Sequence, residues 1–161
     1  METQDPISDG RIRSTNRSSI WLHAFEIWLL ISVAETLHAT ARIAIVQPIV
    51  GDFRARQISV LTGSLIILAI ALLFGNWIPL TERKDAVTVG ALWVGLTIAF
   101  EVILGRFVMV LSWARIMEDY NILGGGLMVF GLLFMFAAPF IAFWCRKRVE
   151  SKVIADGHSA A

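Results

Sequence analysis

Four long apolar stretches dominate this sequence, at about Ile20–Val46, Ile58–Ile78, Ala86–Val110 and Ile122–Trp144. Each exceeds the ~18 apolar residues that mark a segment able to cross a bilayer. Hydrocarbon offers the backbone no hydrogen-bond partner, so each stretch is expected to be an α-helix. Strands of a membrane barrel would alternate apolar and polar residues over about ten positions, a pattern this chain lacks. Composition agrees: 57% of residues are hydrophobic and 17% charged, against about 45–50% and about 25% in soluble domains. A soluble enzyme is therefore a poor fit. The single cysteine excludes a disulfide scaffold or a cysteine-built zinc site. A net charge of +1 leaves no electrostatic footprint for nucleic acid.

The connections are short and polar. Gln47, Pro48, Gly51 and Asp52 break the chain after the first stretch, Pro79 to Asp85 after the second, and Ser112 to Asn121 after the third. Short connections make successive helices antiparallel. The expected fold is all-α, a polytopic integral membrane protein built as an antiparallel four-helix bundle. A polar segment (1–19) precedes the transmembrane domain (20–144), and a basic tail (145–161) follows it. The first apolar run covers about 27 residues, where the core of a signal peptide covers about 7–15. It also carries Glu26, Glu35 and His38, so it reads as an uncleaved helix.

Lys and Arg set the orientation. Arg11, Arg13, Arg17, Arg83, Lys84, Arg146, Lys147, Arg148 and Lys152 share one side. Arg42, Arg54, Arg56, Arg106 and Arg115 belong to the other. The richer side is expected to be cytoplasmic, which places both termini there in a bacterial inner (plasma) membrane. Trp21, Trp77 and Trp144 fall at that side's helix ends, where an aromatic belt would sit.

Charges inside a span are costly and face the bundle interior. Glu35, His38 and Arg42 follow i, i+3, i+7 spacing and share one helical face, which Trp28 and Ser32 continue. Thr97, Glu101 and Gly105 share a face of the third helix, and Arg106 lies about 140° round from Glu101. With Val33 and Ile98 as helix centres, Glu35 lies roughly 3 Å and Glu101 roughly 5 Å beyond the middle. Arg42 and Arg106 lie roughly 13 Å and 12 Å beyond it. The default expectation is two interhelical ion pairs, each glutamate with an arginine, because buried charge calls for a partner. The sharper alternative is an intramembrane polar site of Glu35, His38, Arg42, Glu101 and Arg106. Two carboxylates at low dielectric repel, so such a pair could carry a proton or bind a cation.

Other features are weaker. Ala91, Gly95 and Ala99 form a small-residue row suited to helix packing. Gly124, Gly125 and Gly126 open the fourth stretch, either as close packing or as an unwound segment lining a cavity. Residues Ser112 to Asn121 can form a short interfacial helix, with Asn121 as N-cap of the fourth span. Arg54, Arg56, Trp113 and Arg115 are candidate contacts for a lipid headgroup or a partner's loop. His23 and His38 stand roughly 22 Å apart along one helix and cannot share a metal or haem. No nucleophile elbow, zinc-protease motif, phosphate loop or C-x-x-C occurs, so no catalytic residue, metal or cofactor is assigned. The expected partners are the lipid bilayer and a membrane protein or second copy, with no nucleic acid. The expected function is a non-enzymatic subunit or accessory factor of a membrane complex. A proton- or cation-coupled transporter using Glu35 and Glu101 is the alternative, and a lipid- or quinone-directed enzyme the third reading.

Overall fold

The computed structural model describes the backbone of residues 6–159 and the side chains of 18–149 and 151. Among the described residues six α-helices run in order: α1 (Pro6–Ala41), α2 (Gln47–Val50), α3 (Asp52–Phe74), α4 (Arg83–Ile103), α5 (Trp113–Glu118) and α6 (Met128–Ser159). No strand occurs among the described residues. Among the described residues four segments are long and apolar enough to cross a membrane: Ser18–Val50, Asp52–Trp77, Arg83–Val108 and Met128–Val149.

Each of the four long helices outruns its apolar stretch at one end, α1, α3 and α4 at the start and α6 at the finish, because a polar residue can continue a helix once the apolar run has ended. Helix α3 starts at Asp52, directly after Gly51, whose φ of 81° suits glycine and stops α2. Helix α4 starts at Arg83. Asp85 accepts from the Glu82 amide (2.9 Å), and the Glu82 side chain accepts in return, forming a capping box. Two long helices loosen into π-turns with i→i+5 bonds, at Arg42–Val46 and Leu104–Val108.

The expectation that the fourth span begins at Ile122 is corrected. Ile122–Gly124 is a single 3₁₀ turn, Gly125 takes φ 88°, and α6 starts at Met128. Asn121 therefore caps the 3₁₀ turn, accepting from the Gly124 amide (3.2 Å), and not α6. A Cβ on Gly126 would meet the carbonyl oxygens of Glu118 and Asp119. The triplet thus folds α5 back against the start of α6, where the Met128 amide donates to the Asp119 carbonyl (3.1 Å).

The core occupies one half of the bundle. Ile20, Ala24, Ile27, Trp28 and Ile31 of α1 pack with Ile67 and Ala71 of α3, Val89 and Trp93 of α4, and Met135, Ala138 and Phe143 of α6. Two tryptophans lock α1 to α4. Trp28 Nε1 donates to Thr97 Oγ1 (3.0 Å) and Trp93 Nε1 to the Ala24 carbonyl (2.8 Å), each across 69 residues. Gly90 allows the close crossing of α4 and α6, since a Cβ there would strike the Phe136 backbone. The row expected to pack, Ala91–Gly95–Ala99, is exposed instead, with nothing within 4 Å of a Cβ on Gly95. The seam runs through Ala86, Val89, Gly90 and Trp93, one residue off that row, because Trp93 supplies the buried bulk and the hydrogen bond.

Candidate functional site

The other half of the bundle is open. A cavity of about 570 Å³ lies there, walled by the ends of α1 and α4, the first half of α3, α5 and the start of α6. Its charged lining divides into two zones.

The first zone is an ion-pair chain. Asp52, at the start of α3, holds Arg56 at 2.5 Å and has Arg42 of the α1 π-turn 4.0 Å away. Arg56 also reaches Asp119 (3.2 Å), which Arg115 of α5 grips at 3.1 Å. Arg115 meets Glu118 too, at 3.3 Å. Three segments distant in sequence are thereby tied together, and each guanidinium on the wall has a carboxylate partner.

The second zone contains Glu35 and Glu101. The 69-residue register of α1 against α4 sets Glu101 level with Ser32, so the two glutamates differ by three positions, roughly 4.5 Å of helix rise. Neither meets an arginine. Glu101 makes no hydrogen bond or ion pair among the described residues, and Glu35 has one ionic neighbour, His38, with Nδ1 3.5 Å from Oε2. The Glu35 carboxylate lies over Gly63 of α3, where a Cβ would stand 2.8 Å from Oε2. Gly63 is therefore the room in which that carboxylate fits.

His38 Nε2 lies 2.7 Å from Thr62 Oγ1. Thr62 spends its own hydroxyl proton on the Ile58 carbonyl (3.0 Å), so His38 donates through Nε2. Its Nδ1 then faces the Glu35 carboxylate.

Three buried polar atoms on the wall lack a hydrogen-bond partner among the described residues: Glu35 Oε1, Ser64 Oγ and Tyr120 OH. Buried polar atoms are nearly always satisfied by protein or water, so this wall calls for a polar occupant. Tyr120 lies in the α5–α6 connection. Burial first, then the charges of Glu101 and Asp119, push its phenol above the ordinary value.

Of the residues expected from sequence, Glu35, His38, Arg42 and Glu101 come together on this wall, whereas Arg106 does not. Arg106 sits in the second π-turn, donates to the Leu111 carbonyl (3.1 Å) and lies 5.9 Å from the Trp113 ring centroid. Its angular offset from Glu101 already pointed away. The two expected glutamate–arginine pairs do not form, because Arg42 meets Asp52 and Arg106 donates to the Leu111 carbonyl. Arg56 and Arg115 of the loop set join the cavity wall, Trp113 packs with Arg106 outside it, and Arg54 is exposed.

Sequence reasoning missed the part that the small and hydroxylated residues of α3 play in the site. Ser59, Gly63 and Ser64 line the cavity and Thr62 anchors His38. A cluster of small and hydroxylated residues in an otherwise apolar helix was the available signal. By sequence alone, Asp119 and Tyr120 are loop residues without a site role. No group of three or more His, Cys, Asp or Glu side chains placed to hold a metal occurs among the described residues. The chain matches no protein-family model, no curated protein and no solved structure, so its function is argued from its own residues.

Proposed function

We propose that this chain is a small multi-pass membrane carrier, an antiparallel four-helix bundle with both termini cytoplasmic. In this reading Glu35, with His38, and Glu101 bind a proton or a cation in the course of transport. One observation carries it: both intramembrane glutamates line one cavity, and neither is neutralised by an arginine. A carboxylate placed in a span for structure alone is normally paired; here the pairing is spent on Asp52 and Asp119, and the glutamates are left facing the cavity.

Charge displacement on a solid-supported membrane tests this, because ion binding gives a current even without turnover. A pH jump or a sodium jump on wild-type proteoliposomes is expected to give a transient. Glu35→Gln and Glu101→Gln should each reduce it by at least half. A wild-type signal no larger than that of protein-free membranes overturns the proposal.

A second reading, an accessory subunit of a larger complex, is favoured by the exposed Ala91–Gly95–Ala99 row, which suits a partner helix. A stoichiometric protein retained in native mass spectrometry from mild detergent, and lost in Gly95→Leu, would support it.

A further inference from the structure

Cavity size separates the possible occupants. A water occupies about 30 Å³, and a proton or a dehydrated sodium ion takes no more. The observed volume of about 570 Å³ lies within the roughly 300–1,000 Å³ of small-molecule sites. Much of the wall is apolar, including Val60, Ile67, Leu104, Ile116, Leu127 and Met128. Such a wall suits an occupant with an apolar body.

Charge sets the sign of the occupant's polar end. Four carboxylates line the cavity (Glu35, Asp52, Glu101 and Asp119) against three guanidiniums (Arg42, Arg56 and Arg115). The guanidiniums all sit with Asp52 and Asp119. The surplus negative charge is therefore at Glu35 and Glu101, with His38 beside Glu35.

Hydroxyl geometry sets the kind of cation. Thr36, Thr40, Thr62, Thr88 and Ser151 all donate back to the carbonyl four residues earlier in their own helix. Ser64 does not. It is 6% exposed, lines the cavity, and its Oγ has no partner among the described residues. Glu35 Oε1 is unpartnered beside it on the same wall. These oxygens accept hydrogen bonds. A quaternary ammonium has none to give and is instead held by aromatic cages, whereas Tyr120 is the one Phe, Tyr or Trp on this wall.

We infer that the cavity binds an amphipathic organic amine in its protonated form, its N–H groups held by Glu35, Glu101 and Ser64 and its apolar body against α3, α5 and the start of α6. This rests on the reading of the glutamate cavity as a binding site, and adds the class of solute. The test is calorimetric titration of the purified wild-type protein in nanodiscs at pH 7, with protein-free nanodiscs as blank. The probes are 4-phenylbutylamine, its N,N,N-trimethylammonium counterpart and 4-phenylbutyrate.

The amine is expected to bind, and the trimethylammonium and the carboxylate to bind roughly tenfold to a hundredfold more weakly, the factor for hydrogen bonds to charged groups. Glu35→Gln and Glu101→Gln should each weaken the amine by about tenfold or more, and Ser64→Ala by severalfold. Equal or tighter binding of the trimethylammonium overturns the inference, as does binding of the carboxylate alone or of sodium chloride alone. The comparison of probes uses wild-type protein, so a variant that fails to fold does not decide it. Amine binding without charge displacement after a pH or sodium jump would retain the ligand and refute the carrier. Charge displacement without amine binding would do the reverse.

Discussion

Two glycines five positions apart on α4 make opposite predictions for one substitution. Gly90 is buried, and a Cβ there would strike the carbonyl oxygen of Phe136, with the Phe136 carbonyl carbon at 3.2 Å and ring Cδ2 at 3.3 Å. The obstacle is mainly backbone, so α4 and α6 must separate; overpacking of this kind costs about 1–3 kcal/mol. A Cβ on Gly95 would meet nothing within 4 Å. Both substitutions gain the same helix propensity, about 0.5–1 kcal/mol for Gly→Ala in a helix interior. Gly95→Ala should therefore raise stability by about that amount. Gly90→Ala should end between neutral and roughly 2.5 kcal/mol below wild type. Propensity cancels in the comparison, leaving the packing difference of about 1–3 kcal/mol. At about 2–4 °C per kcal/mol for a chain of this length, the two variants should differ in Tm by roughly 2–12 °C. Thermal scans by far-UV circular dichroism in one detergent at one scan rate would measure it. A Gly90→Ala protein as stable as Gly95→Ala would refute the crossing of α4 and α6. Loss of stability in Gly95→Ala would show that its face is covered.

Trp93→Phe removes a buried donor to the Ala24 carbonyl and should cost about 1–2 kcal/mol, the hydrogen bond plus the smaller ring, read as a lowered midpoint in the same scans. A double-mutant cycle of Arg56→Ala and Asp119→Asn should give a coupling of about 0.2–1 kcal/mol, because both side chains are more than one third exposed. That coupling should shrink in high salt, and a coupling of several kcal/mol would show the pair to be desolvated. Tyr120 is the sole tyrosine, so phenolate absorbance reports it alone. Its midpoint should exceed the ordinary value of about 10. The native state then holds the proton longer than the unfolded chain. Stability is unaffected below about pH 10 and falls as pH rises above it. A midpoint at or below 10 would show that the phenol faces open solvent.

The sequence alone determined that the chain is helical and how many of its segments are long and apolar enough to cross a membrane. An apolar run of this length has one way to satisfy its backbone in hydrocarbon, and that argument needs no tertiary information. It also brought Glu35, His38 and Arg42 onto one face, since helical periodicity is local. Where the helices end was less legible. The capping box at Glu82, the π-turns at Arg42 and Leu104 and the turn at Gly125 depend on single hydrogen bonds that hydropathy does not see.

Partnership was decided by the tertiary structure. Arg42 could have met Glu35 or Glu101 and meets Asp52, because Gly51 turns α3 back at that height. Arg56 and Arg115 converge on Asp119 because Gly126 folds α5 against α6. Which small-residue row packs was settled by Trp93, whose bulk and N–H both needed α1. The glutamates are left without arginines for the same reason: ion pairs form between whatever charges the packing brings within reach, and spacing along the chain sets only which face each charge occupies.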